Sequence, residues 1–478
     1  MSKLVRQGTL RALIEEFIEV RENTLNLFRP LKIEDAVIQS SDFGSPPNWH
    51  IAHVSWFFHQ ILNKYGRKKI IQTNVTDINL HYLNSYYQKF GEILPKQERG
   101  KFPRPTVQDT LKYRSLIEQE IISFLEDTEI ANNEKLYEDI AYHVTLGNQH
   151  EMQHQELMLY DLQHYYQRFS DAQDNYKPSI VRTTPTVILG SSPLTSQQQG
   201  QKGEKYREER LNEDFHGMVN VPGGIYELGF NGKGFCYDNE LPEHKVYLNS
   251  FRMDVAPVTN GEFIKFIEDA GYEHYRYWLA DGWELAKDRN WKAPLYWDFR
   301  EEDSEWIKKD FRGINKVDLE EPITNISYYE ADAYAKWARK RLPTEAEWEK
   351  AASWNEDLHK KTIYPWGNDK PTPRRANLME SYLWGPSQIG TYPEGKSYYG
   401  CHQMIGDIWE WTSSEYILYP AFQSKFSEYT DKWAINQKVL RGGSFATPSS
   451  QIRNSYRNYF RPQDRIPFSG FRCAKDIG

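Results

Sequence analysis

Gly147-Asn-Gln-His150-Glu-Met-Gln-His154-Gln-Glu-Leu-Met-Leu-Tyr-Asp-Leu-Gln-His164 decides how this chain is read. The run has few helix breakers past Gly147, and Leu157, Met158, Leu159 and Leu162 give it an apolar side, so it reads as helix. His150 and His154 then lie on successive turns of one face, which is a metal-chelating geometry. Glu151 completes a His-Glu-x-x-His pattern, and three readings stay open: a zinc peptidase helix, two ligands of another metal, or solvated histidines on a half-buried face. The extended zinc-peptidase form fails, because Leu157 and Tyr160 stand where its Gly and third His belong.

Working outward, residues 9–29 carry Leu10, Leu13, Ile14, Phe17, Ile18, Leu25 and Phe28 at near-helical spacing and predict a first amphipathic helix. Ser45-Pro-Pro-Asn-Trp-His50-Ile-Ala-His53 predicts a proline-initiated second helix with His50 and His53 as further candidate ligands. Helices at about 106–127 and 132–169 complete an up-and-down set of four, with histidines on two of them. The long connection before the third helix holds Tyr86, Tyr87, Arg99 and Arg104. Arg clamps carboxylates and Tyr donates protons, but packed tyrosines on a surface loop would read the same way.

The 478 residues call for more than one domain, and the 39% apolar content holds no run long enough to span a bilayer. The N-terminus lacks the apolar core of a signal peptide, so the cytoplasm is the expected compartment. Cys236, Cys401 and Cys473 are too few and too scattered for a disulfide framework, and a net charge of −8 without a basic cluster argues against nucleic acid. The 15 Trp, 32 Tyr and 23 Phe suggest loop-rich packing and an aromatic pocket for a cation. Composition divides the chain into a bundle at 1–172, a linker or crossover at 173–214, and an α+β domain of short strands and long loops at 215–478.

Several blocks of the second half resemble the formylglycine-generating, sulfatase-modifying fold, a variant of the C-type lectin fold. They are Val221-Pro-Gly-Gly224, Asn239–Lys245, Arg341-Leu-Pro-Thr-Glu-Ala-Glu-Trp348, Tyr364-Pro-Trp-Gly-Asn368, Gly406-Asp-Ile-Trp-Glu-Trp-Thr412, Arg441-Gly-Gly-Ser-Phe445 and Gly470-Phe-Arg472. The copper-binding cysteine pair of that fold is replaced by Thr447 and Ile452, so formylglycine formation is not expected. The first half resembles the DinB-like metal-dependent four-helix bundle. The combination resembles the ergothioneine-biosynthesis sulfoxide synthases.

That resemblance implies Fe(II) held by His53, His150 and His154. It implies O2-dependent joining of the imidazole of hercynine (Nα-trimethylhistidine) to γ-glutamylcysteine or cysteine, small-molecule partners that agree with the lack of a membrane or nucleic-acid signal in the composition. It further implies Gln153, Asn458, Tyr459 and Phe460 as contacts to the histidine-derived substrate, Arg99 and Arg104 as contacts to the thiol, and Tyr86 or Tyr87 as the catalytic tyrosine. Tyr416 and Tyr419 are the rival donors. Where some members carry Asn-Trp-Asp this chain has Asn458-Tyr459-Phe460, so aromatic faces replace an ion pair to the trimethylammonium. Other readings kept open are a selenium- or histidine-using synthase, a zinc-dependent thiol transferase on the same bundle, and a non-enzymatic lectin-like module.

Overall fold

Leu10, Leu13, Phe17, Val20 and Leu27 recur along one stripe of the first helix, and all are buried. In the computed structural model, which describes residues 3–67, 80–85, 87–102, 105–168, 176, 178 and 214–477, this helix, α1, runs Lys3–Phe28 and starts ahead of the expected position 9. Tyr86, Arg104 and nearly all of the 173–214 connection lie outside the described residues. Helix α2 (Pro47–Lys64) begins with Pro47 at its first position, where a missing N–H costs nothing. Its residues from Pro47 to His59 are all buried, so its polar side chains must find partners inside the protein. Thr106 and Asp109 cap α3 (Val107–Leu125) reciprocally. Helix α4 (Glu134–Arg168) carries the opening stretch. A Cβ on Gly147 would lie 2.4 Å from Phe58 Cε1, so glycine lets α2 and α4 close together one turn before His150.

The second domain opens with β1 (Met218–Val221), β2 (Gly224–Leu228), β3 (His244–Leu248) and β4 (Phe251–Asp254). A three-stranded sheet of β5 (Trp297–Arg300), β6 (Glu305–Asp310) and β7 (Gly313–Lys316) follows, then a small hairpin of β8 (Trp354–Asn355) and β9 (Lys360–Lys361). The last strands are β10 (Trp409–Glu415), β11 (Lys438–Arg441), β12 (Asn458–Phe460), β13 (Ser469–Gly470) and β14 (Ala474–Asp476). β4 pairs with both β1 and β14, tying the two ends of the domain together, while β12-β11-β10-β13 form a separate sheet whose Phe460 meets Tyr160 of α4. Helices at Asn260–Glu268, Tyr328–Trp337 and Glu345–Ser353 interrupt the strands. The helix Ala280–Asp288 and the β5–β7 sheet were not expected, because their charged, Trp-rich sequence offers no clean period; β5 is exposed at three of its four positions.

Buried ion pairs hold these loops. Arg441 bonds Glu349, Arg472 forks onto Glu410 at 2.7 and 2.8 Å, and Arg457 forks onto Glu345 at 3.0 Å. The sequence blocks that carry the family resemblance are therefore largely the residues that pin irregular backbone in place. The three cysteines are buried and free. No described helix is long and apolar enough to cross a membrane.

Helix α4 belongs to both domains. Glu151 and Gln155 face α1 and α3, whereas Gln149, Gln153, Glu156, Tyr160 and Gln163 bond or pack against the second domain. One hydrophobic core runs from Leu10 through Trp56 to Trp409 and Ala474 without interruption.

Candidate metal centre

His53 on α2 and His150 and His154 on α4 bring one ligand atom each to within 4.8 Å of one another. Their ring centroids are 4.6–5.1 Å apart. His53 Nδ1 lies 2.6 Å from the Leu83 carbonyl and so carries the proton, leaving Nε2 as a lone pair. That Nε2 and His150 Nδ1 are buried without a hydrogen-bond partner. Buried imidazole nitrogens are rarely left so, and a shared cation would satisfy them. Desolvation lowers the pKa of all three rings, that of His150 to about 3, which keeps them in the neutral, ligating form. His53 and His150 are sealed, while His154, though crowded by the other imidazoles and Trp49, keeps a partly exposed edge. The set fits a divalent transition metal with open positions and no protein carboxylate.

Glu151 is turned away from the triad. It accepts from Arg21 (2.9 Å), Arg114 (2.6 Å) and Thr24 (2.6 Å). Burial pushes its pKa up, but Arg114 and Arg21 outweigh burial and hold it below the ordinary carboxylate value. A carboxylate so engaged is no general base, which removes the peptidase reading. His50 is not a ligand of the cluster: its Nδ1 lies 2.8 Å from His154 Nδ1 and its Nε2 lies 3.0 Å from Asp161 Oδ2.

The second domain closes one side of the site. Tyr429 stands 5.7 Å from the His150 ring and donates to Gln153 Oε1 at 2.5 Å. Gln153 Nε2 in turn donates to the Tyr456 hydroxyl at 3.0 Å. Tyr237 stacks against both tyrosines. Phe57 lies 4.2 Å from His150, with Phe426 and Tyr87 behind it at 5.4 and 6.1 Å.

Comparison with known proteins matches residues 204–477 to the sulfatase-modifying factor enzyme 1-like domain and residues 16–158 to the DinB superfamily. The hercynine oxygenase of Mycolicibacterium smegmatis is 30% identical over 478 residues, covering 97% of this chain and 99% of that protein. The chain belongs to the hercynine oxygenase family. The family member from Mycobacterium tuberculosis is 40% identical over 242 residues, half of this chain and 56% of that protein. The inactive Cα-formylglycine-generating enzyme 2 of Mus musculus is 30% identical over 287 residues, 55% of this chain and 86% of that protein.

The residues implied by the family resemblance fall into separate groups. His53, His150, His154 and Gln153 come together. Tyr87 is fully buried, its backbone held by Asn84 on both sides, and its ring packs on Trp56, Phe57 and Phe426. Arg99 lies 3.6 Å over the Trp49 ring, which stacks on His53, and donates to Ser45 Oγ. Tyr459 stacks on Tyr416 at 4.0 Å, Phe460 meets Tyr160 at 6.1 Å, and Asn458 Oδ1 accepts from the Tyr459 amide. The rival Tyr416 bonds Asn239 and the Thr430 carbonyl, and Tyr419 packs on His244. Tyr429, Tyr456 and Phe426 were missed: the first and last lie in an aperiodic stretch, while Tyr456 just precedes the Arg457–Arg461 run.

Proposed function

We propose that this protein joins the imidazole of hercynine to a cysteine-type thiol, with Fe(II) at His53, His150 and His154 and O2 as oxidant. The reaction balances without a further reductant: imidazole C–H plus R–SH plus O2 gives the C–S(=O)–R sulfoxide plus water. Iron bound by three neutral imidazoles would supply open positions for both substrates and O2 and the redox change that zinc lacks. The observation that carries this reading is the buried pair of unpartnered nitrogens on His53 and His150, facing an aromatic wall rather than a carboxylate base. The likeness to the hercynine oxygenase of Mycolicibacterium smegmatis over nearly its whole length supports hercynine as substrate.

Within this reading Gln153 orients the substrate imidazole, since Tyr429 occupies part of its carbonyl and Tyr456 one of its N–H groups. A trimethylammonium offers no N–H, so aromatic faces hold it at about 0.5–2 kcal/mol each. Tyr429 and Tyr456 present such faces beside Gln153, and Asn458, Tyr459 and Phe460 lie just beyond Tyr456 in the chain. Tyr87, or Tyr86 beside it, donates the proton that steers oxygen reduction toward sulfoxide. Arg99, with Arg104, receives the thiol's carboxylate. The test is anaerobic loading with Fe(II) or Zn(II), then O2 uptake and mass analysis with hercynine plus γ-glutamylcysteine or cysteine. Sulfoxide from the iron form alone is expected. Activity of the zinc form without O2 uptake would favour thiol transfer instead.

A further inference from the structure

The contact between His50 Nδ1 and His154 Nδ1, 2.8 Å long, must hold one proton. Which ring owns it follows from the far side of His50. Nε2 of His50 faces Asp161 Oδ2 at 3.0 Å, and a carboxylate oxygen can only accept. A neutral His50 therefore has its proton on Nε2 and a lone pair on Nδ1, so the shared proton belongs to His154 Nδ1. His154 Nε2 is left as the ligating lone pair. The carboxylate is itself built in: the Ser45 amide donates to Asp161 Oδ2 at 2.9 Å, and Ser40 Oγ donates to the Asp161 carbonyl at 3.1 Å. A Cβ on Gly44 would lie 2.2 Å from Asp161 Oδ1, so the loop before α2 is shaped around this side chain.

We propose that Asp161 and His50 are positioning residues for the metal centre, fixing the tautomer and orientation of His154 and passing carboxylate charge toward the ion it holds. The inference rests on the metal reading above. It extends a general feature of metal-bound histidines, whose second nitrogen is held by an acceptor, by one additional imidazole.

The experiment compares wild type with Asp161→Asn, Gly44→Ala and His150→Ala. Co(II) affinity is measured by chelator competition, and the midpoint potential is measured on the iron-loaded protein. Asp161→Asn keeps an oxygen acceptor for His50 and Ser45 but loses the charge, so the fold survives while affinity falls about 10- to 100-fold and the potential rises. Gly44→Ala, which displaces the carboxylate without removing it, shifts affinity in the same direction. Asp161→Asn with wild-type affinity and potential overturns the relay alone. Wild type that holds no metal, or His150→Ala that holds it as wild type does, overturns the metal reading and the relay with it. A lower melting temperature in Asp161→Asn with both readouts unchanged assigns Asp161 a structural role and also overturns the relay.

Discussion

Glu156 Oε2 accepts a 2.8 Å hydrogen bond from Thr447 Oγ1, so a carboxylate of the helical domain is anchored on a loop of the second domain. Trp409 Nε1 (2.8 Å), Ser444 Oγ (2.5 Å) and Tyr160 Oη (2.7 Å) donate to its other oxygen. Glu156→Ala should leave the buried Trp409 donor unpaired and cost on the order of 2–4 kcal/mol in denaturant unfolding, whereas Glu156→Gln should cost clearly less. Equal losses for the two variants would mean that volume, not hydrogen bonding, joins the domains there.

Removal of any one of His53, His150 or His154 should abolish stoichiometric metal binding, as read by metal analysis of the purified variants. Glu151→Ala should keep the metal ligands but destabilise the bundle by about 3 kcal/mol, because Arg21 and Arg114 lose a fully buried partner and keep only the half-buried Glu118. A Glu151→Gln protein that remains folded and metal-loaded yet loses all activity would restore the acid–base role rejected above.

Tyr87→Phe should divert O2 use from sulfoxide to simple thiol oxidation, read as the ratio of sulfoxide to disulfide. Tyr429→Phe should instead raise KM for hercynine, since it frees the Gln153 amide. If Tyr429→Phe changes the product ratio and Tyr87→Phe does not, the proton donor comes from the second domain.

Arg99→Ala should raise the thiol KM at least tenfold more than the hercynine KM. Because Arg99 also stacks on Trp49 beside His53, Arg99→Lys is the discriminating variant. Full rescue by lysine with equal effects on both substrates would reduce Arg99 to a packing cation.

Asp407 lies far from the triad in sequence and gives a pH test of the second domain. Burial raises its pKa above the ordinary 3.8, although Gln403, Asn377 and Ser387 all donate to it. A raised folded pKa contributes stability at low pH that is lost as pH rises through the folded value. Wild type should therefore lose stability relative to Asp407→Asn as the pH rises above the ordinary 3.8 in urea unfolding. A difference that is flat, or that runs the other way, contradicts the sign.

The triad was legible because helical spacing alone puts His150 and His154 together, and the Trp49–His53 block supplied the third ring by resemblance. The role of Glu151 was hidden: one residue along a helix is about 100° around it, and only the tertiary neighbours Arg21 and Arg114 show where that face goes. Tyr429 and Phe426 come from a loop with no periodicity, fixed by contacts more than two hundred residues away in sequence. In β12, successive side chains point to opposite faces, so Tyr459 and Phe460 meet different partners, Tyr416 and Tyr160, although they are neighbours in the chain.

The double membership of α4 also bears on evolvability. Its turns are already committed: Glu151 and Gln155 to the bundle, Glu156 and Tyr160 to the second domain, His150 and His154 to the candidate metal centre, Asp161 to His50. A substitution that repurposes one face disturbs the others through the same rigid rod. Tyr87, Arg99, Phe426 and Tyr429 come from segments outside that helix. Divergence toward a new thiol or a new amine is therefore expected to accumulate in those segments, while the helix that holds the chemistry stays nearly unchanged.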